Sequence, residues 1–247
     1  GQDALNGCMQ AHGGFEHNLQ SLRVVDHLEE RYPDYDGINL TFETREGVLK
    51  HCSQANAQRL ELNEPGGVGG RFLRKEQPSL EAQLCNLADE IAYNAHDIDD
   101  GVRSGLITLA QLTDVPLFDH YRRVAQAEHP HLGGTAMERR LLYEAIRRML
   151  SAQVYDVIEA TSAALASAAP RSVADVRLAA TLVGFSAPMR AQSSELKRFL
   201  FKNLYRHPQV VETTGRAQRV VTELFAAYVA EPTRQEAISY AVFCLKK

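Results

Sequence analysis

A chain of 247 residues, 45% hydrophobic and 23% charged, is long enough for one large or two modest domains and has an ordinary globular composition. Its net charge of −4 argues against a broad basic surface for nucleic acid, yet leaves room for a small anionic substrate held by a few local cations or a metal. The four cysteines, Cys8, Cys52, Cys85 and Cys244, are scattered without a CxxC pair, which fits unpaired thiols in a reducing cytoplasm. No apolar run nears the roughly 20 residues that span a bilayer, and no signal peptide is visible. The first residue is Gly rather than Met, so a trimmed or processed N-terminus is expected.

Helical periodicity dominates and alternating strand patterns are nearly absent. A short helix is predicted from Asp3 to Ala11, ended by Gly13-Gly14, and a second from Phe15 to Arg31 with Leu19, Leu22, Val25 and Leu28 inward. Pro33 to Asn39 reads as a turn, after which Thr41 caps TFETREGVLKHC in capping-box style. EPGGVGGRFLRKEQ, residues 64–77, looks superficially like a phosphate loop, but it lacks GxxxxGK[ST] and follows no strand. A mobile surface loop is the expectation.

Further helices are predicted from Val115 to Ala127, from Thr135 to Ala169 (closed by Pro170), from Ala191 to Arg206, from Pro208 to Ala230, and from near Thr233. No internal repeat or low-complexity linker interrupts them. The fold class is therefore all-α, in one helical domain over residues 1–247.

NLADEIAYNAHDIDD is the most informative stretch. At about 100° per residue, Leu84, Leu87, Ile91, Ala95 and Ile98 form an apolar stripe. Asp89, Tyr93, His96, Asp97 and Asp100 gather opposite, and Asp89, Tyr93 and Asp97 climb one ridge at i, i+4, i+8. An amphipathic helix with a solvated acidic face accounts for this pattern. A ridge offering a metal ligand and hydrogen-bonding groups to a polyhydroxyl ligand accounts for it too, since an aromatic sits mid-ridge without a Lys or Arg at i+4. His17, beside Glu16 at a helix start in GFEHNLQSLRVVDHL, is a candidate general acid or base or a plain surface residue. SSELKRFLFKNLYRHP is the most basic helix, with Lys197, Arg198, Lys202, Arg206 and Tyr205. It reads either as a solvated face or as a phosphate contact.

Four separated blocks, GGFEHNLQSLRVV, GINLTFETREGVLKHC, QPSLEAQLCNLADEIAYNAHDIDDGVRSGLI and ELKRFLFKNLYRHPQVV, together resemble bacterial deoxyguanosinetriphosphate triphosphohydrolases and dGTPase-like dNTPases of the HD-domain superfamily. The resemblance covers most of Gly1 to about Pro232. It implies an HD-domain-like helical bundle, comprising part of the HD core and C-terminal helices. It implies a metal-dependent phosphohydrolase that cleaves a deoxynucleoside triphosphate into deoxynucleoside and inorganic triphosphate.

Carried over residue by residue, the resemblance makes Asp89 the last metal ligand and His17 a catalytic residue near the scissile phosphate. Tyr93 and Asp97 become holders of the sugar 3′-hydroxyl, Lys197 a phosphate contact, and Tyr205 an aromatic beside the sugar that disfavours a 2′-hydroxyl. The implied cofactor is a divalent metal: Mg²⁺, Mn²⁺ or Fe²⁺. The implied setting is a cytoplasmic homo-oligomer of four or six subunits.

The family's His-Asp dyad lies in a segment like HDLGHPPFGH, expected upstream of Gly1, so this chain alone is expected to be inactive. A catalytic Glu that bacterial members carry near Gln2 is absent. Glu90 stands where eukaryotic relatives have Lys, and the tail EAISYAVFCLKK departs from the usual ending. The competing readings are a nucleotide-binding or regulatory module with a decayed HD site, another HD phosphohydrolase such as a nucleotidase, and a structural or oligomerisation domain.

Overall fold

The computed structural model describes residues 1–134 and 137–230, and twelve α-helices make up most of them. Among these residues no strand forms, and the sole β-type pairing is an isolated bridge between Glu30 and Gly37. Where one domain was expected, the fold groups into two compact units. The first is Gly1–Glu76 with the described residues from Glu212, and the second is Gln77–Val211. The helix predicted near Thr233 and the departing tail lie outside the described residues.

In the first unit, α1 (Gln2–Cys8) runs into a single 3₁₀ turn (Gln10–His12). Gly13 and Gly14 then reverse the chain at φ 92° and 79°, backbone angles that side-chain-bearing residues rarely adopt. Helix α2 (His17–Arg23) starts on Glu16, whose carboxylate accepts the Leu19 N–H at 2.8 Å. A π-helical turn (Val24–Leu28) prolongs it, so the helix ends earlier than the predicted Arg31. The cause is Gly37, where the chain folds back so that Gly37 N–H reaches Glu29 O at 2.8 Å and Ile38 N–H reaches Val25 O at 2.9 Å.

Helix α3 (Phe42–Leu49) begins as predicted, with Thr41 Oγ1 accepting from Thr44 N–H at 3.4 Å. Helix α4 (Gln54–Asn63), capped by Ser53, was not foreseen. Leu22, Leu49 and Val68 form the buried centre of this unit, with Leu19, Phe42, Leu60 and Phe72 packed around them.

The expected loop at 64–77 is instead helix α5 (Val68–Arg74). Its glycines serve contact between helices. A Cβ on Gly69 would lie 2.7 Å from Ala57 O and 2.9 Å from Leu60 Cβ, so α5 can lie against α4 only where side chains are missing. Arg71 then buries its guanidinium against the buried Glu46 carboxylate and over the Phe72 ring, 3.8 Å from its centroid.

The second unit is built on α6 (Leu80–Arg103), which starts at a Ser79 cap. After it come α7 (Leu109–Leu112), α8 (Pro116–Glu128), α9 (Glu138–Ala168), α10 (Val173–Leu178) and α11 (Ala187–Leu200). A π-helical turn (Phe201–Tyr205) extends α11, and α12 (Pro208–Ala230) begins in this unit, its residues from Glu212 belonging to the first. Ile98, Phe118, Leu142, Met149, Leu196 and Leu200 lie in the main core, and Ile91, Val157, Val183 and Phe185 form a second cluster. Fully burying a side chain of this size contributes about 1.5–3 kcal/mol.

The predicted stripe on α6 needs one correction. Leu84 is exposed, and Gln83 is buried in its place. Its amide oxygen accepts from Leu182 N–H at 3.0 Å and Val183 N–H at 3.1 Å, satisfying two backbone donors of the segment that leads into α11. Asp156 on α9 fixes the start of α11 by accepting from Ser186 N–H at 2.8 Å and from its hydroxyl at 2.5 Å.

Candidate functional site on helices α6 and α11

The long α6 presents Glu90, Tyr93 and Asp97 at i, i+3 and i+7, a single face by helical geometry. Its inward side is secured by Ile91, Ala95 and Ile98. Helix α11 buries Leu196 and Leu200, which leaves Lys197 and, at the end of the π turn, Tyr205 on its outer side. The two helices are joined twice along this edge. Lys197 Nζ lies 2.8 Å from Glu90 Oε1, and the Tyr205 hydroxyl donates to Asp97 Oδ2. Seven residues of α6 separate the two links, about 10 Å along the axis. Tyr93 stands between them and also interacts with the Tyr205 hydroxyl.

Four of the six predicted site residues, Tyr93, Asp97, Lys197 and Tyr205, thus gather on one edge of the second unit. Asp89 adjoins it on α6 as an exposed carboxylate. No Lys or Arg stands at i+4 from the ridge acids on α6 itself. From another helix, Lys197 pairs with the neighbouring Glu90. Glu90, which the sequence reading noted only as a departure, is the residue that brings Lys197 to this edge.

The electrostatics of the pair are asymmetric. Burial pushes the Asp97 carboxyl above its usual range, the Tyr205 hydroxyl pulls it back, Asp100 pushes it up again, and His96 lowers it. Tyr205 is held as a neutral phenol, its ionisation opposed first by burial and then by its bonds to Asp97 and Tyr93. A neutral phenol donating to a carboxylate leaves Asp97 a second oxygen able to accept a hydroxyl proton. The chain's His-Asp dipeptide, His96–Asp97, is therefore engaged differently from a metal-binding dyad, because Asp97 is committed to Tyr205 and His96 is exposed.

His17 belongs to the first unit, at the first position of α2. Its Nδ1 lies 3.2 Å from Glu16 Oε1, while the other Glu16 oxygen caps the helix. Glu16 thereby orients the imidazole and favours a proton on Nδ1, leaving Nε2 to accept or deliver one. The same unit holds a cavity of about 1400 Å³ whose wall includes Glu16, Arg23, Arg45 and Arg59. Arg45 bridges Asp26 at 2.8 Å and Glu64 at 2.6 Å, tying α2, α3 and the end of α4 together.

A metal centre of the expected kind needs several close ligands. Among the described residues no group of three or more His, Cys, Asp or Glu side chains is placed to hold a metal ion. Asp89 can supply one oxygen, and the described residues do not complete the shell. Also among the described residues, no helix is long and apolar enough to cross a membrane, and Cys8, Cys52 and Cys85 are free thiols.

Residues 183–239 match the family described as "Phosphohydrolase-associated domain". Proteins named deoxyguanosinetriphosphate triphosphohydrolase-like are similar over nearly the whole chain. The relative from Ralstonia nicotianae is 58% identical over 94% of this chain and 58% of its own length. That from Bordetella pertussis is 55% identical over 94% of this chain and 59% of its own length, and that from Thiobacillus denitrificans is 52% identical over the same shares. The chain thus spans less than two thirds of these relatives. With a helical fold among the described residues and this similarity over 94% of its length, the chain resembles the deoxyguanosinetriphosphate triphosphohydrolase-like proteins along nearly all of its sequence.

Proposed function

We propose that this chain is the substrate-holding part of a deoxynucleoside triphosphate triphosphohydrolase, an enzyme releasing deoxynucleoside and inorganic triphosphate. The observation that carries this reading is the meeting of Tyr93, Asp97, Tyr205 and Lys197 along one edge of α6 and α11. A carboxylate with one oxygen bonded to a phenol and one available suits a sugar 3′-hydroxyl. The Tyr205 ring beside it limits room for a 2′-hydroxyl, and Lys197 supplies positive charge for the phosphates. Holding the sugar at one end and the phosphates at the other fixes the α-phosphorus, where loss of positional freedom would otherwise slow the reaction.

In this reading Asp89 contributes one ligand to a divalent metal, Mg²⁺, Mn²⁺ or Fe²⁺, whose remaining ligands are not among the described residues. His17, oriented by Glu16, delivers a proton to the departing 5′-oxygen. A cytoplasmic, homo-oligomeric enzyme belongs to the same proposal. So does inactivity of this 247-residue chain by itself, because the described residues hold no complete metal shell.

The test is product analysis on the protein that contains this chain, supplied with dGTP and Mn²⁺. Deoxyguanosine and triphosphate in equal amounts support the reading. Release of orthophosphate or pyrophosphate would sink it in favour of a nucleotidase or another HD phosphohydrolase. Affinity for dNTPs by calorimetry with no turnover would favour a regulatory module.

A further inference from the structure

Glu90 is placed to control the lysine assigned to the phosphates. It follows Asp89 directly on α6 and sits one turn before Tyr93, and its Oε1 is 2.8 Å from Lys197 Nζ. Both side chains remain open to solvent, at 36% for Glu90 and 45% for Lys197. A pair this exposed is weak and readily exchanged for another partner. The same two helices also share a buried core, in which Ile98 of α6 packs in one cluster with Leu196 and Leu200 of α11. The core holds the helices together, so the Glu90–Lys197 pair can open without unfastening them.

We propose that Glu90 is a positioning residue that parks Lys197 in the ligand-free protein and gives it up to a bound polyphosphate. This rests on the reading of Lys197 as a phosphate contact. A lysine stem has four rotatable carbons, and without a partner its ammonium samples many positions away from the ridge. Held by Glu90, it waits beside Asp89 and Tyr93. When a triphosphate arrives, the ammonium moves to the phosphate oxygens, and the abandoned Glu90 carboxylate repels the same anion. Glu90 therefore lowers affinity for free polyphosphate. In an enzyme whose product is inorganic triphosphate, that favours product departure.

The experiment titrates inorganic tripolyphosphate, without metal and at low ionic strength, into the full chain and into Glu90→Gln, Lys197→Gln and the double variant. Circular dichroism verifies that each variant is folded. In parallel, acetylation of Lys197 by an N-hydroxysuccinimide ester is followed by mass spectrometry. Lys197→Gln is expected to weaken tripolyphosphate binding about tenfold, the loss of one charge-assisted contact. Glu90→Gln is expected to tighten it about threefold, the size of an exposed ion pair, and to speed Lys197 acetylation. In the Lys197→Gln background the gain from Glu90→Gln should largely vanish. Equal or weaker binding by Glu90→Gln, or a gain undiminished without Lys197, overturns the proposal while leaving Lys197 as the phosphate contact. Equal binding by wild type and Lys197→Gln overturns the phosphate reading itself, and this proposal with it.

Discussion

A methyl group placed on Gly69 should destabilise the α4–α5 pair, although alanine is the better helix former. The added Cβ would sit 2.7 Å from Ala57 O, 2.9 Å from Glu61 N and 2.9 Å from Leu60 Cβ. Two of these atoms are backbone, so relief requires α4 to retreat rather than a rotamer to change. Overpacking of this kind costs about 1–3 kcal/mol, against a gain of about 1 kcal/mol in helix propensity. With backbone as the obstacle the upper part of that range applies, and the net loss is about 2 kcal/mol.

Gly47 supplies the control. It lies exposed in α3, and a Cβ there meets nothing within 4 Å. Gly47→Ala should therefore stabilise by about 0.5–1 kcal/mol. Urea unfolding midpoints give the two changes, and hydrogen exchange locates the Gly69→Ala loss in the amides of α4 and α5. Equal stabilisation by both substitutions would refute the close-approach account of these glycines and return residues 64–77 to the status of an adaptable loop.

Arg71→Met leaves the Glu46 carboxylate buried without its guanidinium partner and should cost about 3–5 kcal/mol in denaturant unfolding; Arg71→Lys should recover part of it. The Asp97 carboxyl should titrate above the usual aspartate range by carbon NMR. Tyr205→Phe should raise it further, since the hydroxyl is what pulls it down. Because the folded value exceeds the unfolded one, the Asp97 contribution to stability is present below the unfolded pKa and is lost as pH rises through the folded value. Tyr205→Ala should narrow the preference for dGTP over GTP in kcat/KM while leaving the metal requirement unchanged. Asp89→Ala should remove metal-dependent turnover, and full retention would return it to an ordinary solvent-facing acid.

Much of the helical architecture was legible because it is encoded locally. The period of Ile91, Ala95 and Ile98, the cap at Thr41, and the stop at Gly13-Gly14 each act within a few residues. The Gly69 region was misread because its glycines answer to α4, an element that a scan along α5 does not contain. Leu84 and Gln83 were transposed for a related reason. One residue of phase on α6 is decided by the backbone donors of Leu182 and Val183, about a hundred positions away. The site divides in the same way. The ridge of Asp89, Tyr93 and Asp97 follows from helical spacing, but the bond from Tyr205 spans 108 positions and the Glu90–Lys197 pair joins two separate helices. Family resemblance pointed to Tyr205 and Lys197 as substrate contacts, whereas only the fold revealed Glu90 as the partner of Lys197.

In the proposed reaction, water attacks the α-phosphorus of a deoxynucleoside triphosphate and the 5′-oxygen departs with the deoxynucleoside, while this edge holds the sugar and phosphates. The most direct test is turnover of dGTP by the protein containing this chain in heavy-oxygen water, with phosphorus NMR and mass spectrometry of the products. Intact triphosphate carrying one heavy oxygen on a terminal phosphorus is expected, with none in the deoxyguanosine. Heavy oxygen in deoxyguanosine, or its appearance in orthophosphate or pyrophosphate, would contradict it.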